Sequence, residues 1–255
     1  MKEIWAYREL LYFLTWRDVK IRYKQTAIGI LWVVLQPIIT TAIFTILFSS
    51  FARFETKDVP YPLFALSGLM IWLFVHTAIT MASNSFVSNT NLVTKVYFPR
   101  LIVPVAATLA GITDLFFSLI ILVILMIYYG IALNFQLLFA PIFLILAIIQ
   151  TVALGTLFSA LNVRFRDVKF ALPFALQVWM IASPVFYPSS LLSENRRLIF
   201  AINPLVGILE GFRASLFGTA FNWQIIGISC ASILVLVMLS LFVFKRMEDD
   251  FADLI

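Results

Sequence analysis

Two ionisable side chains interrupt long apolar stretches of the chain, His76 and Asp114. A carboxylate at the middle of a bilayer costs about 2.5–3.5 kcal/mol on insertion scales, so Asp114 requires a partner, a proton or access to water. An Asp and a His in apolar surroundings are the parts of a proton relay, and a proton-coupled carrier is one reading of them. His76 has no acidic neighbour in its own stretch, which makes a poor relay and points to a structural hydrogen bond instead. The rest of the chemistry is sparse. Cys230, the single cysteine, lies in an apolar run, and one Cys with one His makes neither a disulfide nor a metal cage. No G-x-x-x-x-G-K-[ST], H-E-x-x-H or G-x-S-x-G motif occurs. The chain therefore carries no P-loop for ATP, no zincin site and no nucleophile elbow. The absence of D-x-D argues against a transferase acting on lipid-linked sugars.

A second chemical group is cationic. Arg17, Lys20, Arg22 and Lys24 fall within one short stretch, and charge then vanishes until Arg53. On a helical wheel Trp5, Tyr12, Trp16 and Tyr23 share one face, while Arg17, Lys20 and Lys24 share another. Such a helix fits the headgroup layer, rings inward and cations toward anionic lipid. The same pattern also fits a helix packed on protein in the cytosol. The first 24 residues mix acids and bases through their apolar positions, so a cleavable signal is not expected and insertion falls to the internal segments.

The elements that must position these groups are membrane spans. Of 255 residues, 62% are hydrophobic and 12% charged, about half the charge of a soluble domain. Mean hydropathy is +1.02. The expected fold is an all-α polytopic membrane protein with six transmembrane helices, at 27–52, 61–82, 101–129, 135–161, 170–188 and 223–244. Residues 1–26 form the interfacial helix, and 83–100 a polar loop with a short helix near 91–97, stopped before Pro99. Residues 189–221 are too short and too polar to span twice. They are expected to form a re-entrant extracytoplasmic helix pair, broken at Asn203-Pro204. Pro37 should kink the first span. With six spans both termini share a side. Thirteen of the 18 Lys and Arg residues fall on that side and five on the other, which makes it cytoplasmic.

Several motifs, taken in order, resemble one family. Arg17-Asp18, Arg22-Tyr23-Lys24-Gln25-Thr26, Gly29, Leu31-Trp32 and Gln36-Pro37 open the series. Asn91 to Arg100, Arg166-Asp167 and Asn203-Pro204 continue it. Together they resemble ABC-2 type permeases that export polysaccharides such as O-antigen, capsule or teichoic acid, over the whole chain.

The resemblance implies a homodimer joined to two copies of a separate ABC ATPase, which would bind the ATP and Mg; no cofactor is expected in this chain. It implies that Asn91, Leu92, Thr94, Lys95, Val96, Tyr97, Phe98, Pro99 and Arg100 form a coupling helix seated on the ATPase, supported by Arg166 and Asp167. It places the chain in the bacterial inner membrane, with the 189–221 pair as outer gate. The first and fifth spans would line the channel, with Trp32, Gln36, Phe174, Gln177, Trp179, Phe186 and Tyr187 as lining residues. Aromatic rings can stack on the apolar faces of sugars without fixing their order, although packing or an interface belt explains any single ring as well. The lipid diphosphate carrier of such polymers is anionic, so Arg17, Lys20, Arg22 and Lys24 are candidate contacts at a cytoplasmic entrance. Positive-inside topology alone accounts for them equally. No nucleic-acid partner is implied, and a drug or another ABC-2 cargo remains an alternative.

Overall fold

The computed structural model describes residues 5–24, 31–48, 59–165, 167–191, 193–248 and 251. Gln25, Thr26 and Gly29 of the opening motif, the 49–58 loop with Arg53, Arg166, and the tail residues Asp249, Asp250 and Asp253 lie outside the described residues.

Among the described residues every regular element is helical. The helices are α1 (Arg8–Lys24), α2 (Leu31–Leu47), α3 (Tyr61–Ser88), α4 (Thr90–Lys95), α5 (Ile102–Ala110) and α6 (Ile112–Tyr128). They continue as α7 (Ala140–Arg164), α8 (Val168–Ile181), α9 (Glu194–Phe200), α10 (Pro204–Phe217) and α11 (Trp223–Met247). Four helical stretches are long and apolar enough to cross a membrane: Tyr61–Ser88, Ile102–Tyr128, Phe135–Arg164 and Trp223–Met247. α2 and α8 are shorter apolar helices.

α3 is the axis of the bundle. It packs against α2, α5, α6, α7 and α8, and Leu63, Leu66, Leu69, Met70, Ile71 and Phe74 lose all contact with solvent. Without a hydrophobic drive between helices in lipid, close packing depends on small residues. A Cβ on Gly155 of α7 would meet the Ala82 Cβ at 2.8 Å and the Thr108 Oγ1 at 2.9 Å, so glycine there lets α3, α5 and α7 converge. Gly211 is tighter still: a Cβ would lie 1.9 Å from the Phe143 ring.

α3 continues through Ser88, past the end that its polar residues suggest. The reason lies in back-bonding. Asn84 donates to the Thr80 carbonyl and Asn89 to the Ser85 carbonyl, so these side chains meet their polar needs on the helix itself. At the other end of the bundle α10 is buried on nearly every side, from Leu205 to Leu216 with Glu210 half-buried, although its sequence reads as amphipathic.

A second cluster closes one end of the bundle. Leu14 of α1, Phe86, Val93, Phe98, Ile102, Val103, Phe244, Met247 and Phe251 pack together. α1 and the end of α11 therefore lie at the same end, joined by the loop around α4.

Candidate functional site: a cation at the mouth of the bundle

Asp114 finds its partner 92 positions earlier in the chain. It opens the first turn of α6, and Arg22, in the last turn of α1, reaches its Oδ2 at 2.5 Å. The Tyr23 hydroxyl donates to Asp114 Oδ1 and lies 3.2 Å from the Thr113 hydroxyl. The requirement that the sequence sets for a buried carboxylate is thus met by an ion pair and a phenol. Burial, aided by the hydrogen bond to Asp114, pushes the Tyr23 phenol up to about 12. Tyr23 therefore stays a donor at any physiological pH. The pair is not fully saturated, for Arg22 Nη1 is buried without a hydrogen-bond acceptor.

Two cavities meet at this pair. A small one, about 80 Å³, is bounded by Arg22, Tyr23, Trp32, Gln36, Pro37, Thr77 and Asp114. A larger one, about 630 Å³, is bounded by Arg17, Asp18, Arg22, His76, Thr77, Thr80, Asn84, Ser88 and Asn89. Arg22 and Thr77 border both, so the ion pair stands as the partition between them. The wall of the larger cavity is a polar stripe on α3, His76, Thr80, Asn84 and Ser88, repeating every fourth residue. The His76 carbonyl accepts from the Thr80 hydroxyl at 2.7 Å, while its imidazole borders the cavity. Its ring lies 6.1 Å from that of Trp72.

The structure thus brings Arg17, Arg22, Trp32 and Gln36 together. Lys20 lies over the Trp16 ring at 5.4 Å, and Lys20 and Lys24 are exposed. Arg17 is bound to its neighbour Asp18 at 2.8 Å.

The residues singled out around α4 divide into two sets. Val93 and Phe98 are buried in the second cluster, and the Arg100 guanidinium donates to the Glu248 carbonyl, which ties the loop to the end of α11. Asn91, Thr94, Lys95, Val96 and Tyr97 face outward, Tyr97 at 94% exposure. Leu92 and Pro99 are half-buried between the two sets, and Asp167 is exposed at the start of α8. A short helix with an anchored base and an open tip is a shape for engaging another molecule.

The aromatic residues of the fifth apolar segment also separate. Phe174 and Gln177 are exposed on α8. Phe186 stacks on Phe44 and Phe48 of the first apolar segment, at 5.0 and 5.2 Å, and Tyr187 donates to the Ile181 carbonyl at 2.9 Å. Trp179 donates to Asn203 Oδ1 at 3.0 Å and meets Trp72 edge to face. Asn203 also caps α10 at Leu205 and donates to Ala182 and Ser183. The Asn203-Pro204 motif is therefore the fastening between α8 and α10.

Sequence reasoning gave Arg213 no role beyond counting it among the five cations on the side opposite the termini. The side chain is buried on α10, and its guanidinium donates to Phe64 O, Pro184 O, Val185 O and Ser67 Oγ at 2.5–3.2 Å. Its flanks, Gly211-Phe212 and Ala214, carried the only signal: an arginine amid small and apolar residues.

Long apolar helices around a buried interhelical ion pair define a multi-pass membrane protein. The chain belongs to the ABC-2 type transporter family, which it matches over residues 9–217. It is similar to the O-antigen export system permease protein RfbA of Myxococcus xanthus, 29% identical over 217 residues, or 84% of this chain and 82% of that one. It is similar also to the protein of the same name from Klebsiella pneumoniae, 25% identical over 248 residues, or 97% of this chain and 95% of its relative.

Proposed function

We propose that this chain is the permease subunit of an ATP-driven exporter that moves lipid-linked O-antigen polysaccharide across the bacterial inner membrane. Two copies pair with two copies of a separate ABC ATPase, which holds the ATP and Mg, and this chain carries no cofactor. α2 and α8 join the four longer helical stretches as spans, both termini are cytoplasmic, and the α9–α10 pair is the re-entrant outer gate. The cargo class rests on similarity to permeases named for O-antigen export along nearly the whole chain.

The observation that carries the coupling is α4. Its base is held in a cluster shared with α1 and α11, while Tyr97 projects almost free. Closure of the ATPase pair would push this tip, and the shared cluster would pass the movement to the helices. At the same end of the bundle, the groove bounded by Arg17, Arg22 and the polar stripe of α3 is suited to an anionic diphosphate headgroup followed by a sugar. There Arg22 has a choice of partners, Asp114 or the incoming diphosphate. The exposed faces of α2 and α8, with Trp32, Gln36, Phe174 and Gln177, turn toward the second copy and the channel between the two.

The test is Tyr97→Ala and Lys95→Glu, with surface polymer and ATPase stimulation measured on equal amounts of inserted protein. Both variants should insert normally and lose export. Full export in both overturns the coupling role of α4. Transport that follows an imposed proton gradient and ignores ATP would favour the carrier reading of Asp114 and His76.

A further inference from the structure

The cavity of about 700 Å³ at the opposite end of the bundle belongs to none of the groups discussed so far. It opens between α9, α10 and the start of α11, and its walls combine two kinds of chemistry. One wall is aromatic. Phe221 is fixed by Phe139 and Phe143, at ring separations of 5.5 and 6.0 Å, and the Trp223 ring lies 5.2 Å from it. Unlike Phe221, Trp223 keeps 65% of its surface exposed. Another part of the lining is polar. Arg197 and Glu210 approach to 3.7 Å, too far for a hydrogen bond, and both Arg197 Nε and Glu210 Oε1 are buried without a hydrogen-bond partner. Each unmet group of this kind costs about 1–3 kcal/mol unless water or a ligand completes it. Asn222 uses its carbonyl oxygen to cap α11 at Ile225, which fixes its amide on the same lining.

The floor under this cavity does not give. Arg213 is held there by three backbone carbonyls and the Ser67 hydroxyl, with its guanidinium 3.7 Å from the centre of the Phe64 ring. All but its carbon framework is committed, so a ligand would meet Arg197, Glu210, Asn222 and Trp223, with Ser190, Thr219 and Gln224 also on the lining.

An exposed ring sharing one cavity with an unsaturated donor and acceptor is the chemistry that recognises a pyranose. The axial C–H face of the sugar lies on the indole, and adjacent hydroxyls bridge the donor and the carboxylate. We infer that this cavity is a sugar-binding site on the exit side of the permease, which takes one pyranose unit of the emerging polymer between Trp223 and the Arg197–Glu210 pair. The inference rests on the reading of the cargo as a polysaccharide. A site of this kind would discourage back-sliding of the chain between strokes of the motor.

The test uses the full-length chain in lipid nanodiscs, with methyl α-D-glucopyranoside as probe and saturation-transfer NMR as readout, empty nanodiscs being subtracted. Trp223→Ala and Glu210→Gln should each lower the transferred saturation about fivefold, with melting temperatures as in the parent. Glu210→Gln serves as the second probe because Trp223 could equally be a membrane-interface anchor, whose loss would disturb insertion. Equal saturation transfer in the parent and both variants overturns the site. The cargo reading is tested separately: a strain lacking this chain that keeps its full surface polymer overturns that reading, whereas lost polymer with unchanged sugar binding in the variants overturns only the exit site.

Discussion

Two arginines anchor opposite ends of this molecule, and they are satisfied in different ways. Arg213 is buried, and its partners are backbone carbonyls and a serine hydroxyl. Arg22 is a quarter exposed, borders two cavities and faces one carboxylate on another helix. Carbonyls cannot leave, so Arg213 fixes the end of α8, α10 and α3 into one piece. A carboxylate on a neighbouring helix can be exchanged for another anion, so Arg22 marks a joint that can open. The same chemical group serves as rivet at one end and as latch at the other, and the choice of partner decides which.

Substitutions test this contrast. The largest effect is expected from Arg213→Met, which strands several buried acceptors at once. Each buried acceptor left unmet costs about 1–3 kcal/mol, so the variant should fail to accumulate or melt far below the parent in a detergent thermal-shift assay. Phe98→Ala comes next. It empties a buried site in the second cluster, at about 3–5 kcal/mol, and should lower both stability and export.

Arg22→Ala should separate function from fold. We expect an export loss of at least about tenfold, the equivalent of a 1.4 kcal/mol change, with normal insertion and a smaller drop in melting temperature than Arg213→Met gives. The paired exchange of Arg22→Asp with Asp114→Arg should recover stability but not export if the cation must also meet cargo. Recovery of both would make the pair purely structural and erase the contrast with Arg213. Tyr97→Ala should change stability by no more than about 0.5 kcal/mol while abolishing export. Lys24→Ala, on an exposed cation, should be the mildest of all, with export near the parental level.

The sequence made the membrane class plain, because charge disappears over stretches that no soluble domain could leave uncovered. The demand made by Asp114 was legible as well: a carboxylate in an apolar stretch needs a partner. Which partner was not legible, since Arg22 precedes it by 92 residues and only the docking of α1 beside α6 joins them. The C-terminal end of α3 was misjudged for a local reason. Asn84, Ser85, Ser88 and Asn89 read as loop residues when counted as polar, yet asparagine side chains bonded to the preceding turn leave the helix intact. Trp179 shows a further limit. The resemblance implies a channel-lining place for it, and the structure adds that its indole N–H is occupied by Asn203, a contact that depends on the reversal between α8 and α10. Arg213 was hidden because an arginine on an amphipathic helix is expected on its wet face, and burial on nearly every side of α10 is a property of the packed bundle.

The tie between Arg100 and the Glu248 carbonyl, with Phe251 seated beside Phe86 and Phe244, has a mechanical meaning. The base of α4 is tied to the first and last described helices, so under the proposed coupling role a load applied at Tyr97 would pass to both. Under the same role, a domain fused tightly after Phe251 would load the same cluster that holds α4.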